Sequence, residues 1–232
     1  MATRTITPSS DVLAWASIAV NGNQSEQFLQ GQLSQELSGL GSSGARSLLL
    51  APDGTVISWC FVEGNGDHFV LTFPRGDGEV ALARLRRFHL RVDCTLELAD
   101  ALAGPFERAQ QMIEAGWPSS AEFEVPLTPQ TFGAAFVDAT VSFTKGCFTG
   151  QELVGRLDAR GSSVPWRLVR CVGPSVERVD EVLRSKGPAG PQGVTTAVAT
   201  PPGVLALGIA HRTLLDATVL AEIQDVTVEA VR

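Results

Sequence analysis

Residues 47–62 read SLLLAPDGTVISWCFV. Two β-rich runs, Ser47–Ala51 and Thr55–Val62, flank Pro52-Asp53-Gly54, where proline presets one φ and glycine permits a positive one. The pattern predicts a β-hairpin, and its neighbours extend it into a sheet. Upstream, VLAWASIAV (12–20) alternates at period two and stops at Asn21-Gly22, as a half-buried strand does. Between them Asn23 and Glu26 read as a helix cap, followed by Leu29, Leu33 and Leu37 in a stripe beside Phe28. Downstream come a strand at His68–Phe73, a helix at Glu79–His89 with Val80, Leu82, Leu85 and Phe88 inward, and a strand at Arg91–Leu98. The order β-α-β-β-β-α-β predicts α+β units of ferredoxin-like type, antiparallel sheets with helices on one face.

Beyond this, Phe106–Ala115 reads as a helix closed by Gly116-Trp117-Pro118, and a Pro-containing connection runs to about Phe132. From Trp166 the character changes. Gly and Pro gather at 186–193 and 201–203, separating β-branched runs at Gly193–Thr200, Val204–His211 and Thr218–Val231. The expected organisation is an α+β domain over residues 1–165, holding two ferredoxin-like units, with a small β-barrel over 166–232.

The chain has 232 residues, 44% of them hydrophobic and 19% charged, enough to bury a core without disulfides or metals. Eighteen basic against 25 acidic residues give a net charge of -7, which opposes non-specific binding to a phosphate backbone. No direct nucleic-acid binding is expected. Cys60, Cys94, Cys147 and Cys171 are far apart, with no C-x-x-C pair and only three histidines, so no metal site is expected. Neither an N-terminal apolar run nor a membrane-spanning stretch is present, which points to a reducing, cytoplasmic setting and a monomer away from membranes.

The stretch with chemical content is VSFTKGCFTGQELVGR (141–156). Thr149 and Glu152 have capping-box spacing, so a helix is expected just after Cys147. The partial positive charge of a helix N-terminus, with Lys145 two residues back, would favour a thiolate at Cys147. Gly146 and Gly150 allow sharp turns and close approach of a ligand. Arg156 stands four residues after Glu152, the spacing of a helical ion pair.

Lys145-Gly146-Cys147-Phe148-Thr149-Gly150-Gln151-Glu152 closely resembles the K-G-C-[YF]-x-G-Q-E signature of the YgfZ family of folate-binding proteins, relatives of the glycine cleavage T-protein, an aminomethyltransferase. Further segments are similar to family elements: Val20–Gly22 with Ser25–Gln32, Leu49–Gly54, Glu114–Pro118 with Glu122, Gly193–Thr196 and Leu207–Ala210. Two positions depart from the pattern. Met112 stands where the family commonly has arginine, and 129–133 offers no asparagine.

The resemblance implies the aminomethyltransferase folate-binding fold, tetrahydrofolate as cofactor, and a role in assembling or repairing iron-sulfur clusters of client enzymes, including tRNA-modifying ones. Cys147 and Lys145 would be the reactive pair. Glu122, Trp117, Gly146, Gly150, Gln151, Glu152 and Arg156 would serve folate, Glu122 at the pterin edge and Trp117 as an aromatic wall. Trp59 reads as core, and Arg84, Arg86, Arg87 and Arg91 as a solvated helix face. Two other readings stand beside this one. One is a folate-dependent aminomethyltransferase or demethylase with Asp53 or Asp138 as base. The other is a non-catalytic adaptor with a vestigial pocket.

Overall fold

The computed structural model describes residues 12–40, 43–161, 163–201 and 203–231. Strand β2 (Ala45–Leu50) pairs antiparallel with β3 (Val56–Asn65), so the 47–62 hairpin forms where its sequence placed it. At the turn, Asp53 Oδ1 accepts hydrogen bonds from the Thr55 amide at 3.1 Å and the Thr55 hydroxyl at 2.7 Å, while Gly54 takes φ +83°. Strands β1 (Trp15–Asn21), β4 (His68–Pro74) and β5 (Thr95–Ala101) complete an antiparallel sheet ordered β2-β3-β4-β1-β5.

Period-two alternation sorts this sheet into two faces. Ile18, Val20, Cys60, Val62, Leu71 and Phe73 pack beneath helices α1 (Ser25–Gln32) and α2 (Gly78–Phe88). The opposite face presents Trp15, Leu48, Leu50 and Trp59. Several local expectations shift. The start of α1 has no side-chain cap; the Asn23 amide donates instead to Asp93 Oδ2 at 2.9 Å, tying the turn to β5's approach. On α2, Val80 and Phe88 are exposed, and the inward face is Ala81, Leu82, Arg84 and Leu85. Arg84 therefore leaves the solvated face assigned to it. Its Nε donates to Leu50 O, Nη1 donates to Gln32 Oε1 at 3.1 Å, and its guanidinium lies 3.9 Å from the Phe88 ring centre.

The C-terminal segment runs β6 (Trp166–Gly173), α6 (Val176–Arg184), β7 (Gly193–Thr200), β8 (Gly203–His211), α7 (Ala217–Ala221) and β9 (Thr227–Ala230). Its antiparallel order β7-β8-β6-β9, with α6 against one face, is the split β-α-β arrangement. Among the described residues the strands form this open sheet, where a closed barrel was expected. The difference lies in α6: Val179, Val182 and Leu183 form a buried stripe, and Ser175 accepts from the Arg178 amide as N-cap. That helix covers a face which a barrel would close against its own strands.

The two sheets turn their other faces toward each other. The segment between them holds α3 (Ala109–Glu114), 3-10 turns at Ser120–Glu124 and Pro129–Phe132, α4 (Ala134–Thr140) and α5 (Gln151–Ala159). Its buried residues Met112, Ile113, Trp117, Phe132, Phe136 and Val154 join Leu168, Leu205, Leu207 and Ile209 of the second sheet in one core. Trp15, Trp59, Trp117, Phe132 and Phe136 pack edge-on or tilted, with ring centres 4.9–5.6 Å apart. Burial of each such ring contributes roughly 1.5–3 kcal/mol. Trp59 is fully buried and its Nε1 donates to Pro118 O at 2.9 Å, so it is a core residue.

Candidate functional site

The Cys147 loop is held from three directions. Lys145 is buried, and its Nζ donates to Leu33 O at 2.9 Å and to Gln35 O at 2.7 Å, both in the chain that follows α1. Burial moves the Lys145 ammonium down to about 8, opposed by the charge of Glu36. The Thr149 amide donates to Gly31 O at 3.0 Å. Gly150, at φ +84°, rests on the hairpin turn: a Cβ there would lie 2.7 Å from Ala51 O. The loop is thus moulded onto the first sheet by an amine, an amide and a glycine.

Cys147 itself is exposed. Helix α5 begins at Gln151, four residues further on, and Gly150 is its N-cap with no side-chain hydrogen bond. The capping box expected from Thr149 and Glu152 does not form, because Gly150 in the left-handed conformation takes the cap position and Thr149 turns to Gly31. Glu152 instead pairs with Arg156 at 2.9 Å on the surface, as its spacing indicated. The Gln151 side chain reaches back, accepting from the Phe148 amide at 3.4 Å. Lys145, which donates to two carbonyls, positions the loop that carries the thiol.

Glu122 lies elsewhere, between the middle segment and the second sheet. It has no solvent exposure. Oε2 accepts from the Ser119 amide at 2.7 Å and the Ser119 hydroxyl at 2.6 Å, and Oε1 accepts from the Thr195 hydroxyl. Burial raises its carboxyl above the usual range while these hydrogen bonds oppose the rise. Ser119 Oγ also lies 2.7 Å from Thr196 Oγ1. Glu122 therefore orients hydroxyls on both sides of a cleft of about 280 Å³ whose lining includes Ser119, Ser120, Thr195, Thr196, Met112 and Trp15.

A second carboxyl stands behind the same cleft and was not singled out from the sequence. Asp77 follows the lining residue Gly76, is buried, and accepts from the Ser58 hydroxyl at 2.5 Å. Burial pushes it up to about 6, against hydrogen bonds from Ser58 and Ser120. The sequence signal is faint, a single acid in Arg75-Gly76-Asp77-Gly78 whose burial depends on the fold.

Trp117 is buried in the central core, 5.3 Å from Trp59 and 4.9 Å from Phe136 between ring centres, and its Nε1 has no hydrogen-bond partner. Of the expected site residues, the structure groups Lys145, Gly146, Cys147, Gly150, Gln151, Glu152 and Arg156 in the loop and first turns of α5. Glu122 belongs with the hydroxyl-lined cleft. Asp53 and Asp138 are exposed, and neither lines that cleft.

No protein-family model matches the chain, and no curated protein does. Among solved structures, the glycine cleavage system aminomethyltransferase T from Bartonella henselae superposes with a TM-score of 0.58 at 16% identity. The match covers 86% of this chain and 76% of that one. The chain has the aminomethyltransferase T fold. At this identity the likeness is one of architecture: two antiparallel sheets with a helical segment between them, here carrying the Glu122 cleft at the seam. No helix among the described residues is long and apolar enough to cross a membrane.

Proposed function

We propose that this protein binds tetrahydrofolate at the Glu122 cleft and, through Cys147, supports assembly or repair of iron-sulfur clusters in client enzymes. The observation that carries the folate part is the buried Glu122 carboxylate holding Ser119 and Thr195, which line a cleft in an aminomethyltransferase T fold. A bicyclic pterin asks for converging hydroxyls and an apolar wall, and this cleft supplies both, with Trp15 and Met112 as the apolar part. Its 280 Å³ sits at the small end for ligand pockets, suited to the head of such a molecule. Tetrahydrofolate, when bound, supplies a carrier for a one-carbon unit.

The chain's own residues have separable tasks. Glu122 holds Ser119 and Thr195 in fixed orientation, so those hydroxyls meet a ligand without first reorganising. Residues 1–165 carry Glu122 and the Cys147 loop, and 166–232 bring Thr195 and Thr196 to the same cleft. Met112 is apolar where the family that the chain resembles commonly has arginine, so the hydroxyls take more of the recognition. The client-directed part rests on the resemblance of the octet 145–152 and on the exposure of Cys147. An exposed thiol on an anchored loop is able to meet a macromolecular partner, which a buried one is not.

Calorimetric titration of tetrahydrofolate tests the pocket. Wild type and Cys147→Ala are expected to bind alike, and Glu122→Gln to bind at least tenfold more weakly. Failure of wild type to bind overturns the folate reading. Cells carrying Cys147→Ala are expected to lose activity of a cluster-dependent tRNA-modifying enzyme, and full activity there overturns the client role.

A second reading, a folate-dependent aminomethyl transfer, is favoured by one observation. Asp77 places a buried carboxyl, pushed up by burial to about 6, behind the same cleft. Folate-dependent release of formaldehyde or ammonia from an aminomethyl donor, lost in Asp77→Asn, would establish it.

A further inference from the structure

Arg46 is in an unusual position for an arginine. It lies on β2 in alternation with Leu48 and Leu50, so its side chain stands on the face turned toward the second sheet. Its guanidinium carbon is 4.6 Å from the Trp117 ring centre and 5.8 Å from that of Phe106. Nε is buried and has no hydrogen-bond partner, and no carboxylate among the described residues pairs with it. Burial lowers its affinity for its proton.

The other half-buried or buried arginines each donate to a protein acceptor, although Arg84 also keeps its Nη2 buried without one. Arg84 donates to Leu50 O and Gln32 Oε1, and Arg167 to Gln130 O at 2.8 Å. Stacking satisfies the face of a guanidinium and leaves its N–H edge, the part that grips a planar anion, without an acceptor. A cation half withdrawn from water in this way is stabilised by a counter-charge.

The space beside it is available. Arg46 lines a cleft of about 340 Å³ with Phe61, Glu63, Thr72 and Gly104. This cleft adjoins the Glu122 cleft across Trp15: a Cβ on Gly104 would fall 2.1 Å from the Trp15 ring, and Trp15 lines the other side. Glu63, in the same cleft but outside ion-pair distance of Arg46, disfavours a ligand of purely negative charge. It favours one with an N–H donor near its carboxylate.

We propose that the Arg46 cleft is a binding site for an amino-acid-type carboxylate, with Arg46 gripping the carboxylate and Glu63 accepting from the adjacent nitrogen. Two sources present this chemistry, a free amino acid such as glutamate and the glutamyl end of a folate. The site itself is inferred from Arg46 and Glu63 and does not need the folate reading.

The test is titration calorimetry of wild type, Arg46→Met, Arg46→Lys and Glu63→Gln with L-glutamate, N-(4-aminobenzoyl)-L-glutamate and tetrahydrofolate. Wild type is expected to bind at least one glutamyl probe. Arg46→Met is expected to lose at least tenfold, with Arg46→Lys intermediate because it keeps the charge and loses the planar fork. Arg46→Lys also guards against a folding defect, since its melting temperature is expected to match wild type. Glutamate binding as tightly as its aminobenzoyl derivative identifies a free amino acid; a gain from the aminobenzoyl group identifies the folate tail. The inference is overturned if wild type binds neither glutamyl probe, or if Arg46→Met and Arg46→Lys bind as wild type does. Tetrahydrofolate binding untouched by Arg46→Met would retain the folate reading and, with glutamate binding lost in the same variant, assign this site to a free amino acid; with glutamate binding also untouched it would remove the site. Arg46-dependent binding of a glutamyl probe without tetrahydrofolate binding would retain this site and remove the folate reading.

Discussion

Gly150 and Gly54 meet so closely that a Cβ on Gly150 would lie 3.2 Å from the Gly54 Cα, and one on Gly54 would lie 3.0 Å from the Gly150 carbonyl oxygen. Both adopt positive φ, +84° and +83°. The Cys147 loop is therefore seated on the β2–β3 turn through two residues that tolerate no side chain. Gly150→Ala is expected to cost about 3 kcal/mol, combining left-handed backbone strain with overpacking. Urea denaturation measures this, and a loss below about 0.5 kcal/mol, the level of an ordinary surface change, would show that the loop sits free of the turn.

Asp77 makes stability depend on pH. Its folded-state value of about 6 lies above the ordinary 3.8, so the folded protein holds the proton more tightly than the unfolded chain. That contribution is fully present below pH 3.8 and is lost as pH rises through about 6. Asp77→Asn is expected to be more stable than wild type at pH 7.5, by up to about 3 kcal/mol, and no more stable near pH 3.5. Melting curves at the two pH values check this; an equal difference at both would place the effect in packing.

Lys145 is expected to matter for the shape of the loop. Lys145→Met leaves the carbonyls of Leu33 and Gln35 without their donor and is expected to cost about 2 kcal/mol. The lysine's folded value of about 8 is below 10.5, so the folded chain binds this proton less tightly than the unfolded one. The wild-type contribution from this group accordingly improves as pH rises from about 8 toward 10.5, and Lys145→Met lacks that increment. Chemical denaturation at pH 7 and pH 10 separates the two effects.

The four thiols are expected to react in different regimes. Cys147 is exposed, whereas Cys60 and Cys171 are buried and burial pushes both thiols up, Cys171 to about 12. An aromatic disulfide reagent on native protein should label one thiol rapidly, and Cys147→Ser should remove that phase while leaving the slow ones. Two fast phases would show that Cys94, buried beside His89 with its Sγ 3.3 Å from Nε2, opens readily.

Much of the first sheet was legible because each strand is bounded by its own turn chemistry: Asn21-Gly22, Pro52-Asp53-Gly54 and Gly64–Asp67 mark its edges in the chain itself. Helix α6 was missed: Val176, Val179, Val182 and Leu183 keep helical spacing behind Ser175, but surrounding Gly, Pro and valine drew the segment toward an all-β reading. The tilt of α2 was not legible. Val80 fits an apolar stripe by spacing, yet Arg84 occupies the inward side because Leu50 O and Gln32 lie there to receive it. The Cys147 loop announced itself by contiguous residues. The clefts did not, because Glu122 meets Thr195 only when the middle segment packs on the second sheet, while Asp77 meets Ser58 and Arg46 meets Phe61 and Glu63 only across paired strands, and no local spacing encodes such meetings.

The aromatic packing at this seam also gives the protein an optical property. The chain has four tryptophans and no tyrosine, and Trp15, Trp59 and Trp117 stand together between the sheets. Near-ultraviolet emission is therefore weighted toward one place in the molecule. A ligand entering beside Trp15 or over Arg46 would alter the emission of the rings it adjoins. Parting of the sheets would expose the same rings to water, so a red shift in the spectrum would register the seam opening even with both sheets intact.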